Sequence, residues 1–539
     1  MKIILGVTGV LLLTVFSVAY LYFSNLTVDS RSNDKTLAGI PSDASVIFQF
    51  SNDQSLYEIF RDYTVFDAIT GSEKKEQLSW LKQLFLNNEE FYSNTRGQKI
   101  FLSFHPLKVD SVAFLCLMPL NGGIKITDAE LGLKKQQGNR LVRTDSAGFS
   151  LLSIQNNRVP GTFYLGIAGG IARGSFSKEL LLKSLSESSK KINPEFIKEV
   201  NNSILKDQNG LANLFINHNT PGFLNFFFKL NPNGNFALFN SFSAHASLSM
   251  NYKSDALMFN GATRITGDKN GYLSLFLNQR PVKNTIKRIA PYNLSNSVSY
   301  GLSDYALFHN DLKNLFKQRN ELTKLNEQIK VITDETGINP DRDIKKLWGN
   351  EFSTLQLSTY ENLAIIRLSN GRQLSFFLEP ASSKYSEAVQ KLNYANLFYY
   401  YFGDPMKKFT LPFYAITDNL IIISNSPETV QRFLNDYNSG RSLYGVETFT
   451  QFDQLIADQS NISFLMHFGN SGGLIKSLLK KKYSDIFTSS EYGLKNFYGL
   501  SYQLTSNKDH FFTNFYMGYE NTVTDSVDSL VYKDSAVLN

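Results

Sequence analysis

Two hydrophobic alternations, one of period two and one of period 3.6, succeed each other along this chain in the same order twice. ASVIFQF from Ala44 alternates as a strand; Asn52 then stands as an N-cap before Leu56, Phe60, Tyr63 and Phe66, which fall at helical spacing. EKKEQLSWLKQLFLNN predicts a second helix after it. Much later, SVSYGLSDY from Ser297 gives way to one long helical pattern, DLKNLFKQRNELTKLNEQIKVITDETG from Asp311, stopped by Gly337 and Pro340. Strands are expected next in both places: IFLSF and VAFLCLMPL in the first, FSTLQL, NLAIIRL and LSFFLEP in the second. Asn, Gly and Asp separate these short runs, which argues for antiparallel pairing.

The clearest unit is a strand that leads into a capped helix, TFYLGIA in the first instance and NLIIISN in the second. At the second, Ser426 reads as the N-cap, Pro427 as the first helical residue and Glu428 as an acid in the first turn. A third strand and helix follow each time, ANLFIN with PGFLNFFFKL and ISFLMHF with GGLIKSLLKKKY. Long alternating strands close both passages, SLSMNYK and ALMFNGATRIT, then GLSYQLT and FFTNFYMGY.

Direct residue matches strengthen this order. Ser45 of SVIFQFSND answers Ser297 of SVSYGLSDY, Gly97 answers Gly349, and VAFLCL from Val112 answers LAIIRL from Leu363. SFSKELLLKSL from Ser175 matches SNSPETVQRFL from Ser424, KDQ from Lys206 matches ADQ from Ala457, and LSMNYKSD from Leu248 matches LSYQLTSN from Leu500. All these offsets are about 250 residues, the signature of an internal repeat. The expectation is a tandem pair, copy 1 over 39–285 and copy 2 over 286–520, each α+β with helices packed on a mostly antiparallel sheet. A binding site is expected at the seam between them. Residues 521–539, small and polar, read as a disordered tail.

Ahead of the repeat, no residue from Ile3 to Val28 is charged, and IILGVTGVLLLTVFSVAYLYF is long enough to span a bilayer. Ile3, Leu11, Leu12, Leu13, Phe16, Tyr20 and Phe23 supply the apolar surface of this anchor over residues 1–28, with a tether over 29–38. Lys2 in front of the run places the N-terminus in the cytoplasm and the rest outside, as a single-pass protein of a bacterial inner membrane with a periplasmic ectodomain. The competing reading is a cleaved signal peptide with Ser17 and Ala19 before the cut, although the apolar run continues through Phe23. No cysteine ends the segment, which excludes a lipoprotein.

At 539 residues, 42% hydrophobic and 19% charged, the chain can form globular domains with real cores. Its net charge of +6 is spread out, and no basic stretch interleaves with stacking aromatics, so nucleic acid is not an expected partner. Cys116 stands alone in an apolar strand, and the six histidines lack zinc spacing, so no metal or cofactor is expected.

Two strings tempt toward catalysis. GNSGG at Gly469–Gly473, near His467, resembles the segment around the nucleophile of chymotrypsin-like proteases and would make Ser471 the nucleophile. Its counterpart about 250 residues earlier is NTPGF at Asn219–Phe223, so both read as turns between a strand and a helix. GIAGGIARGS from Gly166 lacks the lysine of a phosphate loop and reads as a bend that needs glycine. No catalytic residue is assigned. What remains is aromatic: FLNFFFKL, with Phe223, Phe226 and Phe227, and NLFYYYF, with Phe398, Tyr399 and Tyr400, are apolar on more than one face. Such segments pack in a core or between copies, or they line an apolar groove for lipid or a partner.

The anchor, the opening IPSDASVIFQF and the motif DNLIIISNSPETVQRFL resemble a loosely defined family of bacterial envelope proteins of unknown function with one N-terminal membrane segment and duplicated α+β ectodomains. The Asn-, Lys- and Phe-rich composition suits a low-GC bacterium. The resemblance implies location and architecture and carries no catalytic residues. The expected function is therefore a non-enzymatic binding or scaffolding role among envelope proteins. Alternatives are a lipid or lipoprotein carrier that uses the aromatic groove, and an envelope hydrolase.

Overall fold

The computed structural model describes residues 35–51, 98–107, 112–121, 125–134, 138–206, 212–220, 227–230, 234–236, 243–266, 271–489 and 492–519, with residues 65, 68, 76–77, 80–81, 83–85 and 89–95. The expected anchor, most of the tether, the helix after Asn52 except for residue 65, and the C-terminal tail lie outside the described residues. Among the described residues, no helix is long and apolar enough to cross a membrane.

The first half of the chain contributes β1 (Val46–Ser51), β2 (Lys99–Pro106), β3 (Val112–Pro119), β4 (Asn139–Ser146), β5 (Phe149–Asn156), β6 (Val159–Ala168), β7 (Ile171–Ser175), β8 (Ala212–Asn217), β9 (Ala244–Lys253) and β10 (Ala256–Ile265). After a short β11 (Val282–Lys283) come β12 (Leu294–Gly301), β13 (Trp348–Leu357), β14 (Asn362–Leu368), β15 (Ser382–Lys384), β16 (Gln390–Leu392), β17 (Phe413–Thr417) and β18 (Leu420–Ser424). The last are β19 (Gln459–Ser460), β20 (Ile462–His467), β21 (Phe497–Asn507) and β22 (His510–Tyr519).

Apart from the β11–β19 pair, these strands form one 20-stranded sheet, and every described pairing between strands is antiparallel. From the first edge to the centre the spatial order is β4, β5, β6, β7, β3, β2, β1, β8, β9, β10. It continues β22, β21, β20, β12, β13, β14, β18, β17, β16, β15. Strands that occupy mirrored places come in the same sequential order in each half. The first strand of each half sits mid-sheet, flanked by the second strand and by the strand that follows the two-helix excursion: β1 by β2 and β8, β12 by β13 and β20. The halves join through the β10–β22 ladder, with Asn260 opposite Asn514.

Both faces of the sheet are covered, which accounts for strands such as VIFQF that are apolar on successive residues instead of alternating with polar ones. On one face, Ile47, Phe101, Leu117 and Phe215 of the first half bury against helices Lys178–Leu185 and Pro194–Lys206. In the second half Leu355, Ile365 and Ile422 bury against Pro427–Asn438 and Glu447–Asp453. On the opposite face a single apolar core runs across both halves and includes Phe48, Leu102, Phe259, Phe352, Phe464 and Phe515.

Arms reach across in both directions. Phe228 bridges Leu479, and Lys480 N–H donates to the Phe227 carbonyl while Lys229 N–H donates to the Leu478 carbonyl. From the first half, Asn235 donates to the Asn296 side chain at 2.9 Å and the Thr354 carbonyl at 3.0 Å, and the Phe236 ring meets Phe464 at 5.6 Å. From the second half, Tyr483 packs its ring 4.9 Å from Phe227, and Gly493 lies close against Ala68.

Four expected elements differ. The long helix from Asp311 is two helices, Tyr305–Gln318 and Leu322–Thr336, because Asn320 turns left-handed at φ 58° between them. LSFFLEP is not a strand: helix Gly371–Leu378 takes it, capped by Asn370, whose side chain accepts from Gln373 N–H, with Leu374 and Leu378 buried one turn apart. The helix expected over PGFLNFFFKL is absent from its described end, 227–230, which supplies the bridge just given. GGLIKSLLKKKY breaks at Leu479 and Lys480 into helices Phe468–Leu478 and Lys481–Thr488, since those two residues make the partner side of that bridge.

Candidate functional site

The aromatic segment NLFYYYF forms the short helix Leu397–Phe402, and all six of its side chains are buried. A helix this apolar on every side needs surroundings on every side. Phe398 lies 6.2 Å from the Trp348 ring and Tyr399 5.0 Å from Phe316. Tyr400 lies 5.1 Å from His309. The two phenol hydroxyls reach carboxylates, Tyr399 donating to Glu321 at 2.5 Å and Tyr400 to Asp341 at 3.0 Å. Burial, with those acids beside them, pushes both phenols above their usual range. His309 packs between Tyr305, Tyr400 and Tyr401, and burial, with Lys345 and Lys313 nearby, drives its pKa down to about 3, so it stays neutral. Of the other proposed groove residues, Phe223 and Phe226 lie outside the described residues, and Phe227 is buried against Tyr483. The structure thus places Phe398, Tyr399 and Tyr400 in the second half and Phe227 at the crossing of the arms, and it does not bring the two groups together in one described cavity.

GNSGG lies inside a helix, not in a turn ahead of one. His467 is the N-cap, its Nδ1 accepting from Asn470 N–H at 3.0 Å, and Ser471 sits one turn on. The Ser471 hydroxyl is fully buried, 2.6 Å from the His467 carbonyl and 2.8 Å from the Ser295 hydroxyl. It ties the helix to β12. The glycines Gly169 (φ 61°) and Gly170 (φ 75°) form the hairpin between β6 and β7, as a bend that needs left-handed backbone requires. Cys116 is a buried strand thiol whose pKa burial pushes up to about 12.

One constellation was invisible in the sequence. Asp43 in the loop before β1 meets His105 Nδ1 at 2.7 Å, and His105 Nε2 meets the Ser103 hydroxyl at 2.8 Å. Burial holds His105 below its usual range, so the ring is neutral: Nδ1–H donates to Asp43 and Nε2 accepts from Ser103. Although burial opposes it, the hydrogen bond from His105, with the Lys183 charge nearby, keeps the Asp43 carboxyl below the usual range. These are the contacts of a nucleophile, base and orienting acid. Access decides against that chemistry, because Ser103 and His105 are both 0% exposed and no acyl group can approach the hydroxyl. Asp43 lies 62 residues from His105, and only the pairing of β1 with β2 brings them together, so no sequence spacing announces the cluster.

A second cluster lies on the same side of the sheet. His245 of β9 meets Glu199 at 3.2 Å, Glu199 meets Arg264 at 3.6 Å, and Arg264 pairs with Asp509 of the other half. Among the described residues no group of three or more His, Cys, Asp or Glu side chains is placed to hold a metal ion.

No family model, no curated protein and no solved structure matches this chain.

Proposed function

We propose that this chain is a tandem duplication that works as a membrane-anchored scaffold in a bacterial envelope, binding other envelope proteins without catalysis. The observation that supports it most is the strand order of the sheet, which is the same when read inward from either edge. Two copies with equivalent folds, joined edge to edge by β10 and β22 and locked by crossing arms, make one wide platform. In this reading residues 1–28 anchor the platform, 39–285 and 286–520 are its two copies, and an approximate two-fold axis passes near the Asn260–Asn514 pair. The complete burial of the helix Leu397–Phe402 favours an interior packing role for its aromatics over the lining of a lipid groove. The buried Ser103 and Ser471 hydroxyls favour binding over hydrolysis.

Purification of the intact chain from its own membranes under mild detergent tests this. Stoichiometric co-purification of envelope proteins, sustained after detergent exchange, is the expected result. Lipid retained in fixed ratio without protein partners would instead make it a carrier.

A further inference from the structure

The end of the first half where it runs into the second, residues 271–286, does more than connect them. Its 3-10 turn Tyr272–Phe276 packs against helix Tyr305–Gln318, and between them opens a cavity of about 230 Å³. Asp311, Asn314, Leu315 and Gln318, spaced three, four and seven residues apart, form the helix wall of this cavity. Leu275 and Leu277 of the linker face them, with Asn278 and Ser274 beside them, and Lys508 of the β21–β22 turn completes the lining.

The chemistry of this lining is paired and incompletely used. Asn278 donates to one Asp311 oxygen at 3.0 Å, which leaves the other carboxylate oxygen for a further donor. Lys508 sits in left-handed backbone (φ 61°) at the hairpin tip, while its neighbour Asp509 is taken by Arg264 and His510. The Lys508 ammonium therefore has no carboxylate partner among the described residues. One cavity thus carries a carboxylate, an ammonium, three amides, a serine hydroxyl and three leucine side chains. A ligand that matches these needs a positive group for Asp311, a negative group for Lys508, and a compact apolar part.

We propose that this linker cavity binds a small zwitterion, a free α-amino acid with an aliphatic side chain. Its ammonium pairs with Asp311, its carboxylate with Lys508, and its side chain rests on Leu275, Leu277 and Leu315. Asn314 and Gln318 hydrogen-bond the remaining valences of the two charged groups. Because the cavity lies where the first half runs into the second, occupancy ties the linker to the second half. This assignment stands independently of the scaffold reading.

Isothermal titration of the intact chain in detergent tests it with L-leucine and two analogues that each lack one charge, 4-methylpentanoate and 3-methylbutylamine. Saturable L-leucine binding is expected, with both analogues at least about tenfold weaker. The variants Lys508→Met, at an exposed side chain, and Asp311→Asn, at a half-buried one, are each expected to weaken L-leucine at least about tenfold. Thermal unfolding of both variants close to that of the parent shows that they remain folded. No saturation by about 10 mM L-leucine, unchanged binding in both variants, or an analogue that binds as well as L-leucine would each overturn the proposal.

Discussion

Among single residues, Lys408 is a lysine held away from its usual solvated, paired surroundings. Its Nζ donates to the Asn235 and Asn362 side-chain oxygens, 3.0 Å each, and has no carboxylate partner among the described residues. Burial pushes its pKa down to about 7. In the unfolded chain the same amine titrates near 10.4. Between these values the unfolded state holds the proton and the folded state does not, so stability rises with pH from about 7 to about 10. The amine penalty is fully present below about 7. Water reaches part of this side chain, so we expect a gain of roughly 1–2 kcal/mol across that range, not the full shift. Urea unfolding at pH 6.5, 8.5 and 10 measures it. Lys408→Met should flatten this rise relative to the parent, and an unchanged rise would assign it to other groups.

Among the elements, the helix Leu397–Phe402 depends on its terminator. Gly403 adopts φ 69°, ψ −149°, a region closed to other residues, and a Cβ there would lie 2.6 Å from the Tyr272 ring and 2.8 Å from Leu312. Tyr272 also donates to the Phe402 carbonyl at 2.5 Å, so the ring has nowhere to move. Gly403→Ala is expected to cost about 2–4 kcal/mol, combining backbone strain with overpacking. Gly148→Ala, equally left-handed at φ 81° but with nothing within 4 Å of its Cβ, should cost about 1 kcal/mol. Chemical denaturation of the two variants in parallel checks the difference. Equal losses would mean that strain alone matters at Gly403.

Much at this scale was legible in the sequence. Ser426 does cap Pro427–Asn438 by accepting from Thr429 N–H, and Gly337 does end its helix at φ 73°. The closing strands of both halves appear where period-two alternation puts them. The failures have physical causes. LSFFLEP is short and apolar enough to read as a strand, and only the Asn370 cap and the buried Leu374–Leu378 spacing reveal a helix. The residues at 227–230 and 479–480 leave helical geometry because each supplies the bridge partner of the other, a contact between segments about 250 residues apart. The Asp43–His105–Ser103 cluster depended likewise on strand register, which local pattern does not contain.

Across the whole molecule, the two halves form one sheet and not two domains on a string. Joining two sheets edge to edge removes the edges of β10 and β22, which would otherwise be long unpaired ladders open to aggregation. Phe259 and Phe515 pack at 6.1 Å across the junction, and the Thr263 and Thr513 hydroxyls meet at 2.7 Å. The crossing arms add a second tie between the halves, through the Phe228–Leu479 bridge. Hydrogen exchange of the intact chain, read by mass spectrometry on peptides covering 256–263 and 511–518, tests this most directly. Both peptides are expected to stay protected for as long as the central strands β1 and β12, because their amides bond across the seam. Exchange of these peptides within minutes, at the rate of the edge strand β4, would contradict it.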